Sequence, residues 1–355
     1  MINYKELFLI EPFSMKQKFK EDWFFKIQKK LSKHHYQNCP EYKKISNNIF
    51  DGINGKKKIE EFPFLHTDIF KNFNLKSVSI NEPQNTFTSS GTSGSKVSKI
   101  NIDRKTALLQ SKTLKRIFSQ FIKEKTEHIF FIDKPSVLKG ALSFSARGAA
   151  IKGFSQVSNK INFLLDDNNQ LHIKSLLDFL KKNPDKNFII FGFTSFVWKF
   201  LLQVLIDRKI KLCKNNGILI HGGGWKKMQD QSITRDLLYK KINTFLGIKK
   251  IHNYYGMVEQ TGSIFLECER GFFHTSIFSE IIMRDKNLDV SSLKKKGLIQ
   301  VLSILPLSYP GHNILTEDIG ILEGIDNCLC GRLGKYFTIV GRVPGTELRG
   351  CSDAY

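Results

Sequence analysis

Residues 86–98 read TFTSSGTSGSKVS. Hydroxyls from Ser89, Ser90, Thr92, Ser93 and Ser95, backbone freed by Gly91 and Gly94, and the cation of Lys96 form a set suited to wrapping a mobile polyphosphate. The stretch is not a Walker loop, because Gly91 is followed by Thr92, Ser93, Gly94, Ser95 and Lys96 rather than by four residues and Gly-Lys-Ser/Thr. Nor does it hold a GxGxxG turn. Taken alone, it reads equally well as a solvated Ser/Gly hairpin.

A second chemical set is sulfur-rich. Of six cysteines (Cys39, Cys213, Cys268, Cys328, Cys330 and Cys351), three fall in two short phrases, one of which adds a histidine: Cys268 and His274 in CERGFFH, Cys328 and Cys330 in CLCG. Three thiolates and an imidazole are the ligand set of a structural zinc site. The CxC spacing is tighter than the usual zinc knuckle, and buried reduced cysteines are the competing reading.

These residues need elements to position them. Met15, Phe19, Trp23, Ile27 and Leu31 recur at fourfold spacing, which predicts an amphipathic helix over 14–31 with that face buried. The segment from there to about residue 80 is polar and turn-rich. Helical spacing returns over Thr106–Ile122, followed by a buried strand at HIFFID (128–133). Then come a helix over Leu171–Lys182, the strand FIIFGF (188–193), a helix over Phe196–Lys209, the strand GILIHGGGW (217–225), a helix over Met228–Leu246 and IHNYYG (251–256). Strand, helix, strand in this order predicts an α/β fold with parallel sheets and flanking helices. From about 261 onward short strands (SIFLEC, EIIM, GLIQVLSIL, YFTIVG) predict a β-rich subdomain.

Strands in this scheme end in FGFTS, HGGGW and YYGMVE, and in open parallel sheets ligands bind beyond the strands' carboxyl ends. His221 could touch substrate there or simply cap its strand. The small residues of GALSFSARGAAIKGFS (140–155) suit either an acyl pocket wall or close helix packing, and Phe191, Phe193, Phe196 and Trp198 suit either a tunnel or plain core.

TFTSSGTSGSK, HGGGW, NYYGMVE, TEDIG and GRVPG, in this order, resemble the superfamily that makes acyl-adenylates, and HGGGWKK, ARGAA (146–150) and RGCSD are similar to the acyl-protein synthetase (LuxE) family within it, related to phenylacetate-CoA ligase. The resemblance runs from about residue 80 to the end. It implies the large domain of an adenylate-forming enzyme, lacking the usual small C-terminal domain with its catalytic lysine; Lys226 or Lys227 is a candidate substitute. It implies three parts: residues 1–80, helical and turn-rich; 81–340, the adenylate-forming core; and 341–355, a hinge-like tail carrying Cys351.

It also implies ATP and Mg²⁺. Residues Ser89, Ser90, Gly91, Thr92, Ser93, Gly94 and Lys96 would hold the β- and γ-phosphates; Gly222, Gly223 and Gly224 would wall adenine with Tyr255 stacked opposite; Glu259 would bind Mg²⁺; Asp318 and Arg342 would hold the ribose. Cys351, beside Arg349, matches the cysteine that takes the acyl group before passing it to an acyl-CoA or fatty acid reductase subunit of the LuxC type. The implied substrate is a long-chain fatty acid.

Composition bounds the alternatives. The 355 residues, 41% hydrophobic, suffice for a large folded core. The N-terminus has no apolar core followed by a small-residue cleavage site, and no stretch of about 18 uncharged apolar residues occurs, so a cytoplasmic protein is expected. The net charge of +22 would suit a polyanionic partner, but it comes from 45 scattered lysines against 10 arginines, so nucleic-acid binding is not expected. Two alternatives to the acyl-protein reading stay open: the same adenylate passed to coenzyme A or a carrier protein, and a non-enzymatic basic protein binding RNA or a membrane surface.

Overall fold

The computed structural model describes residues 2–79, 84–89, 97–123, 126–212, 216–225 and 232–344. They fall into two compact units. The first takes the described residues of Met1–Ser89, Ser95–Gln120 and Gly256–Glu347, the second those of Phe121–Tyr255.

The second unit is the α/β part. Its parallel strands lie in the order Lys160–Phe163, His128–Phe131, Phe188–Phe193, Gly217–Gly222, Lys250–Tyr255. Every residue of Phe188–Phe193 and Gly217–Gly222 is buried, as expected for central strands covered on both faces. Parallel neighbours cannot be joined by a tight hairpin, so helices Ala146–Ser155, Lys174–Lys182 and Arg235–Leu246 lie in the connections. The helix expected over Phe196–Lys209 is instead two α-turns, Thr194–Phe196 and Gln203–Asp207, around a π-helical turn at Val197–Leu202. The helix expected from Met228 begins at Arg235, where the Thr234 side chain caps it by accepting from the Leu237 N–H; residues 226–231, Lys226 and Lys227 among them, lie outside the described residues.

Phe191, Phe193 and Phe196 are core. Phe191 lies 4.3 Å from the Phe154 ring and stacks on Tyr254 at 5.7 Å. The small-residue segment serves close packing: Gly140–Phe144 makes a tight turn against the helix Ala146–Ser155, and a Cβ on Gly148 would sit 2.3 Å from the Leu142 carbonyl oxygen. Asp133 receives the buried guanidinium of Arg147, whose Nε donates to Oδ2 at 2.7 Å.

The first unit is built on an antiparallel sheet in the order Phe273–His274, Lys335–Arg342, Asn313–Ile325, Lys296–Ser303, Ser279–Arg284, with Leu65–His66 joining Asn313–Ile325 in parallel. A separate hairpin pairs Gln84–Thr88 with Lys99–Asp103. The N-terminal helix runs Gln17–Asn38, and its buried face differs from the expected one: Phe19 is 65% exposed, whereas Gln17, Lys20, Phe24, Ile27, Gln28, Leu31, Ser32 and His35 are buried. The polar members of this face are met by partners that periodicity cannot anticipate. Lys20 pairs with Glu280 at 3.2 Å, Gln17 donates to Glu280 at 2.7 Å, Gln28 donates to the Ser303 carbonyl, and His35 bonds Ser77. The segment read as turn-rich contains a further helix, Pro40–Phe50, opened by a proline whose fixed φ suits a first helical position.

Among the described residues no helix is long and apolar enough to cross a membrane. Helix propensity would favour alanine over glycine at position 148 by about 1 kcal/mol, but the collision is with backbone that cannot swing aside. Gly148→Ala is expected to destabilise by roughly 1–3 kcal/mol, read as a lower urea midpoint; a midpoint at or above wild type would refute the close packing.

Candidate active site

In the first unit the strand Asn313–Ile325 carries Glu317 and Asp318 side by side, and Asp318 lies in register opposite Arg342. Adjacent strand residues ordinarily face opposite sides. Here one guanidinium reaches both: Arg342 donates to Glu317 Oε2 at 2.6 Å, and its Nε lies 3.2 Å from Asp318 Oδ1. The pairing shifts register between Ile319 and Gly320, a bulge that turns the strand locally. Asp318 is further fixed by its own N–H, which donates to the Thr316 hydroxyl at 3.1 Å.

Glu259 sits on a short 3₁₀ turn, Val258–Gln260, which the neighbouring loop pins in place. Tyr309 donates its hydroxyl proton to the Glu259 carbonyl at 2.8 Å, and Gln260 donates to the Val301 and Gly311 carbonyls. Burial pushes the Glu259 carboxyl above its usual range; nearby Asp318 adds to the rise, while the Ser98 hydroxyl and Arg342 oppose it. Burial raises Glu317 as well, with Arg342 the main opposing influence. Three carboxylates therefore share the field of one arginine.

Sequence reading missed Glu317, His66 and Asp68. One ligand atom from each lies within 4.8 Å of the others, because Leu65–His66 is laid beside Ile314 and Leu315. The only signal in the chain is the HTD that follows FPFL, and nothing in it points to a partner some 250 residues away.

At the base of the hydroxyl loop, Ser89 and Ser98 are pinched together: Ser89 N–H donates to the Ser98 carbonyl at 3.1 Å, and Ser98 N–H donates to Ser89 Oγ at 2.9 Å. Ser90, Gly91, Thr92, Ser93, Gly94 and Lys96 lie outside the described residues, as does Cys351.

In the second unit the three glycines after Gly217–His221 have separate jobs. A Cβ on Gly222 would sit 2.3 Å from the Tyr254 ring, so this glycine serves packing. Gly223 has φ +74°, a conformation that suits glycine. Gly224 faces open space. Tyr255 is half-buried at the end of its strand. His221 is structural: Nδ1 bonds Thr194 Oγ1 at 2.9 Å, Nε2 bonds the Tyr239 hydroxyl at 3.2 Å, and burial, aided by Arg235 and His252, holds its pKa down at about 3.

Cys268, His274, Cys328 and Cys330 are brought together in the first unit, with ligand atoms all within 4.8 Å of one another.

This architecture is that of the adenylate-forming ligases. The chain superposes on 2-hydroxyisobutyryl-CoA ligase, in an open conformation with 2-HIB-AMP and CoA, at TM-score 0.71 and 14% identity, covering 94% of this chain and 77% of that one. The same enzyme in its postadenylation state gives 0.72 at 12% identity, covering 93% and 69%. Residues 4–355 match the family described as acyl-protein synthetase, LuxE, and the chain belongs to that family of ligases. Similar curated relatives are long-chain-fatty-acid–luciferin-component ligases: one from Vibrio harveyi is 25% identical, covering 94% of this chain and 89% of the relative, and one from Aliivibrio fischeri is 26% identical, covering 86% and 82%.

Two outcomes test this geometry. Gly222→Ala is expected to destabilise by roughly 1–3 kcal/mol through the Tyr254 collision, whereas Gly224→Ala should stay within about 0.5 kcal/mol of wild type; equal denaturation midpoints would contradict the division of labour. A carboxyl whose folded pKa lies above its unfolded value costs stability as pH rises from the ordinary carboxylate range through the raised value. Glu259→Gln should therefore melt above wild type at pH 8, with the advantage shrinking as pH falls toward 4.5, the ordinary value for the group. A lower melting temperature than wild type at pH 8 would refute the assignment.

Proposed function

We propose that this chain activates a long-chain fatty acid with ATP and then carries the acyl group on its own Cys351. A carboxylate oxygen of the acid attacks the α-phosphorus of ATP, the bond to the β-phosphate oxygen breaks, and pyrophosphate leaves. The Cys351 thiolate attacks the carbonyl of the resulting acyl-adenylate, forming a thioester and releasing AMP. The observation that carries this reading is the buried Glu259 with its Asp318–Arg342 pair, in a chain matched from residue 4 to 355 by an acyl-protein synthetase family.

Each residue has a role in that reading. Ser89, Ser90, Gly91, Thr92, Ser93, Gly94 and Lys96 hold the β- and γ-phosphates through hydroxyls, backbone N–H groups and one cation. Gly222, Gly223 and Gly224 lie flat along one face of adenine, and Tyr255 stacks on the other. Asp318 accepts from the ribose hydroxyls, and its ion pair with Arg342 orients the carboxylate for that purpose.

The donor set around Glu259 fits a hard divalent cation: a carboxylate kept from water, with the negative charge of Asp318 close by. Glu259 would hold Mg²⁺, which when bound supplies positive charge to phosphate oxygens. We place the reaction in the cytoplasm and take a reductase subunit as the acceptor of the acyl group; the names of the luciferin-component ligases support the fatty acid and leave that acceptor to experiment.

The test is intact-protein mass after incubation with Mg²⁺-ATP and fatty acids of graded length, beside Cys351→Ser and an ATP-free control. The expected result is an ATP-dependent acyl adduct, removed by hydroxylamine and missing from Cys351→Ser. Pyrophosphate release without an adduct would shift the acceptor to coenzyme A or a carrier, and no acid-dependent pyrophosphate release would overturn the activation step. Glu259→Gln should slow acid-dependent pyrophosphate release by about 10²–10³-fold.

A further inference from the structure

We propose that Cys268, His274, Cys328 and Cys330 bind one structural Zn²⁺ ion through three sulfurs and one nitrogen. Their ligand atoms all lie within 4.8 Å of one another, and Cys330 Sγ is 3.3 Å from His274 Nε2. A tetrahedral zinc with Zn–S near 2.3 Å and Zn–N near 2.0–2.1 Å separates its ligands by about 3.5–3.8 Å. The cluster is thus within a small contraction of metal geometry, and Cys268, His274 and Cys328 are buried.

The backbone at Cys268 distinguishes it from a merely packed thiol. Cys268 Sγ receives the N–H of Arg270 at 3.4 Å, while its own N–H donates to the Phe272 carbonyl at 2.8 Å. A buried thiol acting as a small hydrophobe has no need of such a donor, whereas anionic sulfur is stabilised by it.

The turns that make this possible pass through Gly271 and Gly331, both at φ +83°. They bring the phrases CERGFFH and CLCG, separated by more than fifty residues, to one point. His274 presents Nε2 to the cluster. Its buried Nδ1 has no hydrogen-bond partner among the described residues, and the ring is held by stacking on Tyr336 at 5.6 Å and by the edge of Phe13. With Nε2 on the metal, Nδ1 keeps the ring proton.

Four protein ligands leave no open position, which marks a structural rather than a catalytic ion. Binding displaces the protons of the three thiols to solvent. The ion fastens the turns on either side of the pair Phe273–His274 and Lys335–Arg342, and so anchors at its far end the strand that presents Arg342. This inference does not depend on the proposed reaction, because its readouts are metal content and stability.

The experiment is elemental analysis of the full chain prepared under reducing conditions with zinc, together with cobalt substitution. Expected are about one zinc per chain, intense visible bands of tetrahedral cobalt thiolate after exchange, and loss of both in Cys330→Ser. Wild type should also melt lower after exhaustive chelation and recover with Zn²⁺ but not Mg²⁺, a readout that needs no variant. Zinc-free protein with an unchanged melting temperature and freely titrating thiols would overturn the proposal, as would a non-reduced mass showing Cys268, Cys328 or Cys330 in a disulfide.

Discussion

One guanidinium orders the carboxylate cluster of the first unit. Arg342 engages Glu317 and Asp318 directly, and its field reaches the buried Glu259. Without a cation there, three carboxylates this close would not all stay ionised, since burial already favours the protonated form of two of them. The sheet has to deliver that cation from one strand to the neighbouring carboxylates, and the register opposing Asp318 to Arg342 does so.

The two units solve different packing problems. In the parallel sheet, strands buried on both faces demand unbroken apolar runs, so glycines and aromatics fit together there as core: Gly222 yields to the Tyr254 ring, and Gly148 to a carbonyl oxygen. The antiparallel sheet buries polar groups instead. Lys20, Gln17, Glu280 and Lys335 meet in its interior, where each charge has a partner. Breaking such a pair from one side leaves an uncompensated buried charge and costs about 3–5 kcal/mol. The N-terminal helix is thereby held by specific partners as well as by its apolar residues.

Much of this was legible in the chain. Hydrophobic runs and their order marked four of the five parallel strands to within a few residues, and the short strands after about 261 marked the antiparallel part, because apolar periodicity reports which face each element buries; the half-exposed strand Lys160–Phe163 and the hairpin of Gln84–Thr88 with Lys99–Asp103 carry no such run and were not expected. The misplacements have local causes. Phe19 belongs to the apolar repeat of its helix, yet the buried face turned toward polar residues whose partners lie on remote strands. The helix Pro40–Phe50 was hidden by a polar composition that its proline start outweighed.

For the site, residue types alone singled out the sulfur set, whereas Glu259, Asp318 and Arg342 stood out only through the resemblance of their phrases to those of acyl-adenylate-forming enzymes. Only the tertiary structure decided which of them meet. Glu317, His66 and Asp68 carry no local mark, because their significance arises from a parallel pairing of two residues at Leu65–His66. Cys268 and Cys330 lie sixty-odd residues apart in the chain and converge only through the turns at Gly271 and Gly331. A sequence determines what each segment must bury and what each side chain can do; the energy of distant pairings decides which side chains share a field, and that information is absent from any local window.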